Sequence, residues 1–172
     1  MENRIELRGL RKRFGGKTAL DGVTLDMEGG VFGILGGEGA GKSTLLRALA
    51  TLLPLDGGEA RVCGLPLEKA GAVRALVGYL PGDFGVYGNL RVREAMDYLG
   101  ALSGLDAPTR RARTQQLLGL VGLSGEAEAR VRRLDAGALR RLGVAQALIH
   151  DPRVLLLDEP TAGLAPEERA RM

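Results

Sequence analysis

The sequence predicts an α/β fold in which an α/β core opens with antiparallel strands and is interrupted by an inserted helical subdomain. Three observations carry this reading. Short β-patterned segments separated by Gly-rich turns fill the first third of the chain. Apolar residues at helical spacing dominate residues 83–140. The apolar run VLLL at 154–157 then returns the chain to a strand suited to burial on both faces. The core is expected over residues 1–82 and 141–172, and the helical subdomain over 83–140.

Taken in order, residues 5–10, 23–27 and 31–35 read as the opening strands. A helix follows over 42–52 and is stopped by Pro54 and Gly57-Gly58. Residues 60–63 and 77–80 read as further strands. Residues 92–103, 108–121 and 138–149 are helical by apolar spacing, with Asp106 as a cap two residues ahead of Pro108. After VLLL the chain ends in a charged helical start, PEERARM.

Composition narrows the class. A chain of 172 residues suffices for a real core, burying about 70% of its unfolded surface. Apolar runs such as VFGIL and VLLL fall far short of the ~20 residues of a bilayer span. The opening MENRIELRGLRKRF has no apolar stretch of a secretory signal, so a cytoplasmic setting is the expectation. Cys63 is the only cysteine, which leaves no internal disulfide; it reads as a small packed residue at a strand end. Net charge is +3, and 20 of the 24 basic residues are Arg. The pairs Arg110-Arg111, Arg132-Arg133 and Arg140-Arg141 read as solvated helix faces. No aromatic-rich basic patch accompanies them, so nucleic acid is not an expected partner. His150 follows a helix and reads as a C-terminal cap or surface residue.

The stretch GGEGAGKSTLL fits the phosphate-binding loop pattern, with Gly36-x4-Gly41-Lys42-Ser43 between a predicted strand and a predicted helix. Glycines tolerate positive φ, which lets successive backbone N–H groups turn toward phosphate oxygens. The helix that follows points its partly positive end at the same place. Lys42 is placed to reach the β- and γ-phosphates, and Ser43 to ligate Mg²⁺. The bland alternative is a Gly-rich turn before a helix. LLLDEP, residues 155–160, supplies a second half. A buried strand delivers Asp158 at its C-terminal end, where open α/β sheets bind ligands. Asp158 can then hold Mg²⁺, and Glu159 can polarise an attacking water. The alternative there is an acidic turn after a core strand.

Together these motifs resemble the nucleotide-binding subunit of an ABC transporter, over nearly the whole chain. RFGGKTALDGVTLDM is similar to the family's opening strands, and VGYLPGDFGVYGNLRVREAMDYL to the segment leading into its helical subdomain. VRRLDAGALRRLGVAQALIHDPRVLLLDEPTAGLAPEE resembles the signature region and second acidic motif. The wording is closest to the ATPases of ABC-2-type exporters. The resemblance implies a P-loop NTPase core whose final strands, and a switch histidine, lie beyond the point where this chain stops. Without the strand between them, the cradle strand and the LLLDE strand must close up or leave backbone unpaired. It implies that Phe14 stacks on adenine, that Gly36, Gly39, Gly41, Lys42, Ser43 and Thr44 hold the phosphates of ATP, and that Ser43 and Asp158 serve Mg²⁺. Glu159 becomes the catalytic base. The implied partners are a transmembrane permease subunit and a second ATPase subunit in a head-to-tail dimer, on the inner face of the cell membrane. The Tyr79, Phe84 and Tyr87 cluster falls near the groove for the permease's coupling helix; ordinary packing is the alternative.

The departures from the family pattern fall on functional positions. Gly82 stands where the family has a Gln that contacts Mg²⁺ or the lytic water. The signature serine is replaced by Asp135, and Ala136 adds a methyl where backbone approaches phosphate. Two unit charges about 5 Å apart repel by roughly 3 kcal/mol at an effective dielectric of 20, so Asp135 disfavours a facing γ-phosphate. An acid there is also a good helix N-cap. Ala165 replaces an aspartate that links the two sites, and Gly37-Glu38 replaces Pro-Asn in the cradle. Three readings follow: an ABC ATPase subunit with weakened hydrolysis, a non-catalytic nucleotide- or partner-binding module, and a P-loop transferase acting on another acceptor. The signature-like helix and LLLDEPTAGL disfavour the last.

Overall fold

The computed structural model describes residues 4–162, 164 and 166–169, and divides at Val77/Gly78 into two compact units. Ala165 and the last three residues of PEERARM lie outside the described residues.

The first unit is built on a hairpin. Strand β1 (Arg4–Phe14) turns at Gly15-Gly16 into β2 (Lys17–Glu28), with Phe14 opposite Lys17. Both strands run longer than their apolar alternation alone predicts, because each side of a tight two-residue turn continues the ladder. β3 (Gly57–Val62) pairs antiparallel with the other edge of β1, and the short β4 (Leu65–Pro66) completes the order β2-β1-β3-β4. Alternation in β1 buries Ile5 and Leu7, the register shift between Leu7 and Leu10 then brings Leu10 inward, and Val62 is buried on β3. Gly58 has φ 84°, and a β-carbon there would lie 2.6 Å from the Arg8 carbonyl oxygen, so only glycine lets β3 cross the shifted register of β1. Helix α1 (Lys42–Leu49) buries Leu45, Leu46, Ala48 and Leu49. It ends three residues before the expected stop, where Thr51 turns left-handed at φ 58°. Cys63 is buried at the end of β3, as expected. A short helix, α2 (Ala70–Arg74), follows.

The strand expected at 31–35 does not form. Those residues join neither sheet, and Val31 and Leu35 are fully exposed. A β-pattern becomes a strand only where a neighbour accepts its ladder, and none of the described strands does so.

In the second unit β5 (Val77–Leu80) and β6 (Val154–Leu157) form a two-stranded sheet. β6 was expected to be buried on both faces; Leu156 is buried, but Leu155, which points to the opposite face, is 38% exposed. Between them run α3 (Val92–Leu102), α4 (Ala107–Leu120) and α5 (Ala136–Ala147). Their shared core contains Val92, Met96, Leu117, Leu123, Leu142 and Ile149. Burying each such side chain contributes about 1.5–3 kcal/mol. Asp106 caps α4 as predicted, accepting a hydrogen bond from the Thr109 N–H at 2.8 Å. Glu94 Oε2 accepts from the Arg91 N–H at 2.8 Å at the start of α3. The charged start α6 (Pro166–Arg169) is helical.

Candidate functional site

The cradle lies in the first unit. Gly41 takes φ 89° and opens α1; a β-carbon there would collide with the Ala19 carbonyl oxygen and sit 3.2 Å from Leu20 Cδ2. Glycine is therefore required both for the turn and for the close approach of β2. The helical ladder starts with the Leu45 N–H bonding Gly41 O at 2.9 Å, and no side chain caps the helix. The N–H groups of Lys42, Ser43 and Thr44 precede that ladder, the arrangement that receives an anion. Lys42 Nζ folds back on the loop, donating to Gly36 O and Gly37 O at 2.7 Å each. Gly39, at φ 74°, completes the turn, with the Lys17 ammonium 3.5 Å from where its β-carbon would be.

Lys17 was not singled out in the sequence, yet it joins the hairpin end at Phe14 to the glycine loop at Gly39. It pairs across the hairpin with Phe14, whose ring is half exposed. Buried Lys12 places its Nζ 5.6 Å from the Phe14 ring centroid. The same ammonium donates to Asp56 Oδ1 at 2.9 Å, and Asp56 Oδ2 accepts from the Arg13 N–H at 2.7 Å. The Lys12 bond, first, and the Arg13 N–H hold the Asp56 carboxyl below its usual range. The signal for this fixture was faint: one lysine two residues before an aromatic.

The acids lie in the second unit, at the end of β6. Asp158 is buried, and its N–H donates to Leu80 O at 2.9 Å. Glu159 is exposed and has a left-handed backbone, φ 49°. Gly82 faces the first of these acids: a β-carbon on it would lie 3.6 Å from Asp158 Oδ2. Among the described residues no cluster of three or more His, Cys, Asp or Glu side chains is set to hold a metal ion.

Arg140 corrects the reading of the Arg140-Arg141 pair as a solvated face. The residue is 6% exposed, and its side chain spends its donors on five main-chain carbonyls. Nη1 donates to Pro81 O at 2.8 Å and Gly82 O at 3.1 Å, Nε to Pro160 O at 3.1 Å, and Nη2 to Glu159 O at 2.6 Å and to Asp158 O. Burial lowers its pKa, against the opposing pull of Asp158 and Glu159. The available signal was spacing: Arg140 sits three residues from both Gly137 and Gly143, small residues that are buried in the same helix. Asp135 takes the benign role open to it, capping α5 by accepting from the Ala138 N–H at 2.6 Å.

A glycine loop opening a helix beside a β-hairpin, with an acid-tipped strand following later in the chain, defines an α/β protein of the P-loop NTPase class. Residues 20–162 match the ABC transporter family, and the chain belongs to it. It is 41% identical over 170 residues to Nod factor export ATP-binding protein I of Paraburkholderia xenovorans (strain LB400), covering 98% of this chain and 56% of that protein. It is 42% identical to the daunorubicin resistance ATP-binding protein DrrA3 of Streptomyces coeruleorubidus, covering 98% and 54%. The chain thus spans about half the length of these relatives. Among solved structures, an ATP-binding cassette, MJ0796, in a dimeric post-hydrolysis state bound to ADP and Pi shares the fold, with a TM-score of 0.86 at 24% identity, covering 97% of this chain and 78% of that one. cbiO1 from Clostridium perfringens, part of the transporter complex cbiONQ, gives a TM-score of 0.84 at 26% identity, covering 99% and 70%.

Proposed function

We propose that this chain is the ATP-binding part of an ABC exporter, which binds Mg-ATP in the cradle at Gly36–Ser43 and works with a transmembrane permease subunit on the inner face of the cell membrane. One observation carries the reading: Gly41 opens an uncapped helix in a left-handed turn, with Lys42 bonded only to loop carbonyls that a phosphate chain can replace. Its relatives named for Nod factor export and daunorubicin resistance support an export role. Phe14 offers the adenine platform, Gly36, Gly39, Gly41, Lys42, Ser43 and Thr44 the phosphate contacts, Ser43 and Asp158 the Mg²⁺ ligands, and Glu159 the base for water. The metal would supply charge neutralisation on the phosphates; the protein's own part is to position them and to exclude competing contacts. No helix among the described residues is long and apolar enough to cross a membrane, which is compatible with a separate permease.

A specific pair of observations favours weakened catalysis, or a module that binds nucleotide without turning it over. Glycine puts no side chain opposite Asp158, and Asp135 puts a carboxylate at the head of the signature helix. The deciding experiment is thermal unfolding with and without Mg-ATP, beside Lys42→Ala. A ligand present at 100 times Kd stabilises by about 2.7 kcal/mol. A shift in the unmutated chain that is lost in Lys42→Ala is the expected result; no shift at millimolar Mg-ATP would end the nucleotide reading. Phosphate release abolished by Glu159→Gln would then separate the hydrolase from the non-catalytic module.

A further inference from the structure

We propose that Arg140 is the positioning residue of the catalytic end: one guanidinium ties the loop after β5 to the loop after β6 and holds Glu159 in its left-handed turn. The inference rests on the assignment of Glu159 as the water-activating base. The geometry is specific. Five carbonyl oxygens from two loops, Pro81 and Gly82 on one side and Asp158, Glu159 and Pro160 on the other, converge on one buried side chain. Carbonyls of consecutive residues can point at one cation only if the chain curls around it, and the left-handed φ of Glu159 is that curl. A non-glycine residue in this region is held there by its surroundings, here by the carbonyl bonds to Arg140. A planar guanidinium with five donors matches the job; an ammonium with three donors on a flexible stem does not. Besides Arg140, the Asp158 N–H joins the ends of the two strands through Leu80 O at 2.9 Å, while the bond from the Ala162 N–H to Glu159 O at 3.0 Å is local to the second loop.

The consequence is that the two loops move as one. A displacement of Pro81-Gly82 is transmitted to the carbonyls of Asp158, Glu159 and Pro160 through the Arg140 side chain, in addition to the backbone bond between Asp158 and Leu80, and α5, which carries Arg140 and is headed by Asp135, moves with them.

The test uses Arg140→Met and the conservative Arg140→Lys in the whole chain. Amide hydrogen exchange is measured over residues 79–84, 156–164 and, as a reference, 92–102. The expected result is that Arg140→Met raises exchange in both loop segments about tenfold or more, leaving the reference helix unchanged, while Arg140→Lys is intermediate. Loosening of one loop alone, of neither, or of all three segments equally would overturn the proposal. If Arg140→Met does not fold, Arg140→Lys carries the same comparison. Where phosphate release is measurable, kcat should fall about tenfold at an unchanged KM for Mg-ATP, and the loss should vanish in a Glu159→Gln background. A raised KM, or a loss that adds to that of Glu159→Gln, would reject the positioning role. Titration of the unmutated chain with a fluorescent ATP analogue keeps the two ideas apart. Absence of binding there ends the nucleotide reading, while the exchange result still decides whether Arg140 ties the loops.

Discussion

Gly82 sits against Asp158: a β-carbon there would lie 3.6 Å from Oδ2 and 3.8 Å from Cγ, in ordinary contact with the carboxylate. Gly82 does not have positive φ, so the backbone accepts any side chain. Gly82→Gln should therefore fold as well as the unmutated chain, within about 0.5 kcal/mol. If the site turns ATP over, a restored amide beside Asp158 should raise phosphate release by about tenfold, the value of one well-made hydrogen bond of ~1.4 kcal/mol. Paired melting and phosphate-release measurements check both halves. A stable Gly82→Gln with unchanged turnover would place the weakness elsewhere, at Asp135.

The platform at Phe14 gives a second prediction. Its ring is half exposed and already holds the Lys12 ammonium at 5.6 Å, itself fixed by Asp56. Stacking of a base on an aromatic side chain is worth about 1–3 kcal/mol. Phe14→Ala should weaken ATP binding by about 5–150-fold, with little change for inorganic triphosphate, which has no base to stack. Phe14→Tyr should bind as the unmutated chain does. Titration with both ligands reads the difference, and equal loss for ATP and triphosphate would mean that the ring shapes the hairpin end instead of holding adenine.

What the sequence made legible was local. Asp106 two residues before Pro108, the bounds of β5 and β6, and the helices α3 and α4 rest on side-chain chemistry and periodicity within a few residues, and those appear where expected within a residue or so. The glycine loop was legible for the same reason, since its turn and its helix start are written within eight residues, whereas the close approach of Gly41 to Ala19 on β2 is not. What failed was non-local. VFGIL has the pattern of a strand, but a strand also needs a partner, and pattern does not say which chain segment will supply one. Arg140 failed similarly: two adjacent arginines look solvated in one dimension, and only the fold brings five carbonyls to one of them.

Acid should unfold the chain in a way that particular carboxylates explain. The Thr109 N–H, first, with its hydroxyl and Arg110, holds the Asp106 carboxyl below its ordinary value; the Arg4 bond does so for Asp26, and the Lys12 bond for Asp56. A carboxyl whose folded pKa is depressed contributes stability that is complete above its unfolded pKa of about 4 and is lost as pH falls through the folded value. Asp106→Asn keeps a cap of similar strength but does not titrate. Its melting temperature should lie below that of the unmutated chain at pH 7, and the gap should close as pH falls below about 4. Melts at pH 7, 4 and 3 check this, and a gap independent of pH would remove Asp106 from the acid transition.

Two glycines in the second unit should respond differently to the same added methyl. Gly143 lies inside α5, where a β-carbon would meet Leu80 Cδ1 at 2.6 Å and Phe84 Cδ1 at 2.8 Å. Both are side chains that can shift, and alanine gains about 1 kcal/mol of helix propensity over glycine. Overpacking costs about 1–3 kcal/mol, so Gly143→Ala should destabilise by no more than about 2 kcal/mol net. Gly78 lies in β5, where the β-carbon would collide with the Ala147 carbonyl oxygen and come within 2.9 Å of Pro152 Cγ. A backbone oxygen at the end of α5 cannot step aside without moving the helix, and no helix propensity offsets the clash. Gly78→Ala should therefore lose about 3 kcal/mol or more, the upper end of what overpacking costs. Denaturant melts of the two variants give the order directly. Gly143→Ala falling further than Gly78→Ala would mean that β5 and α5 are held less closely at Gly78 than the backbone contact requires.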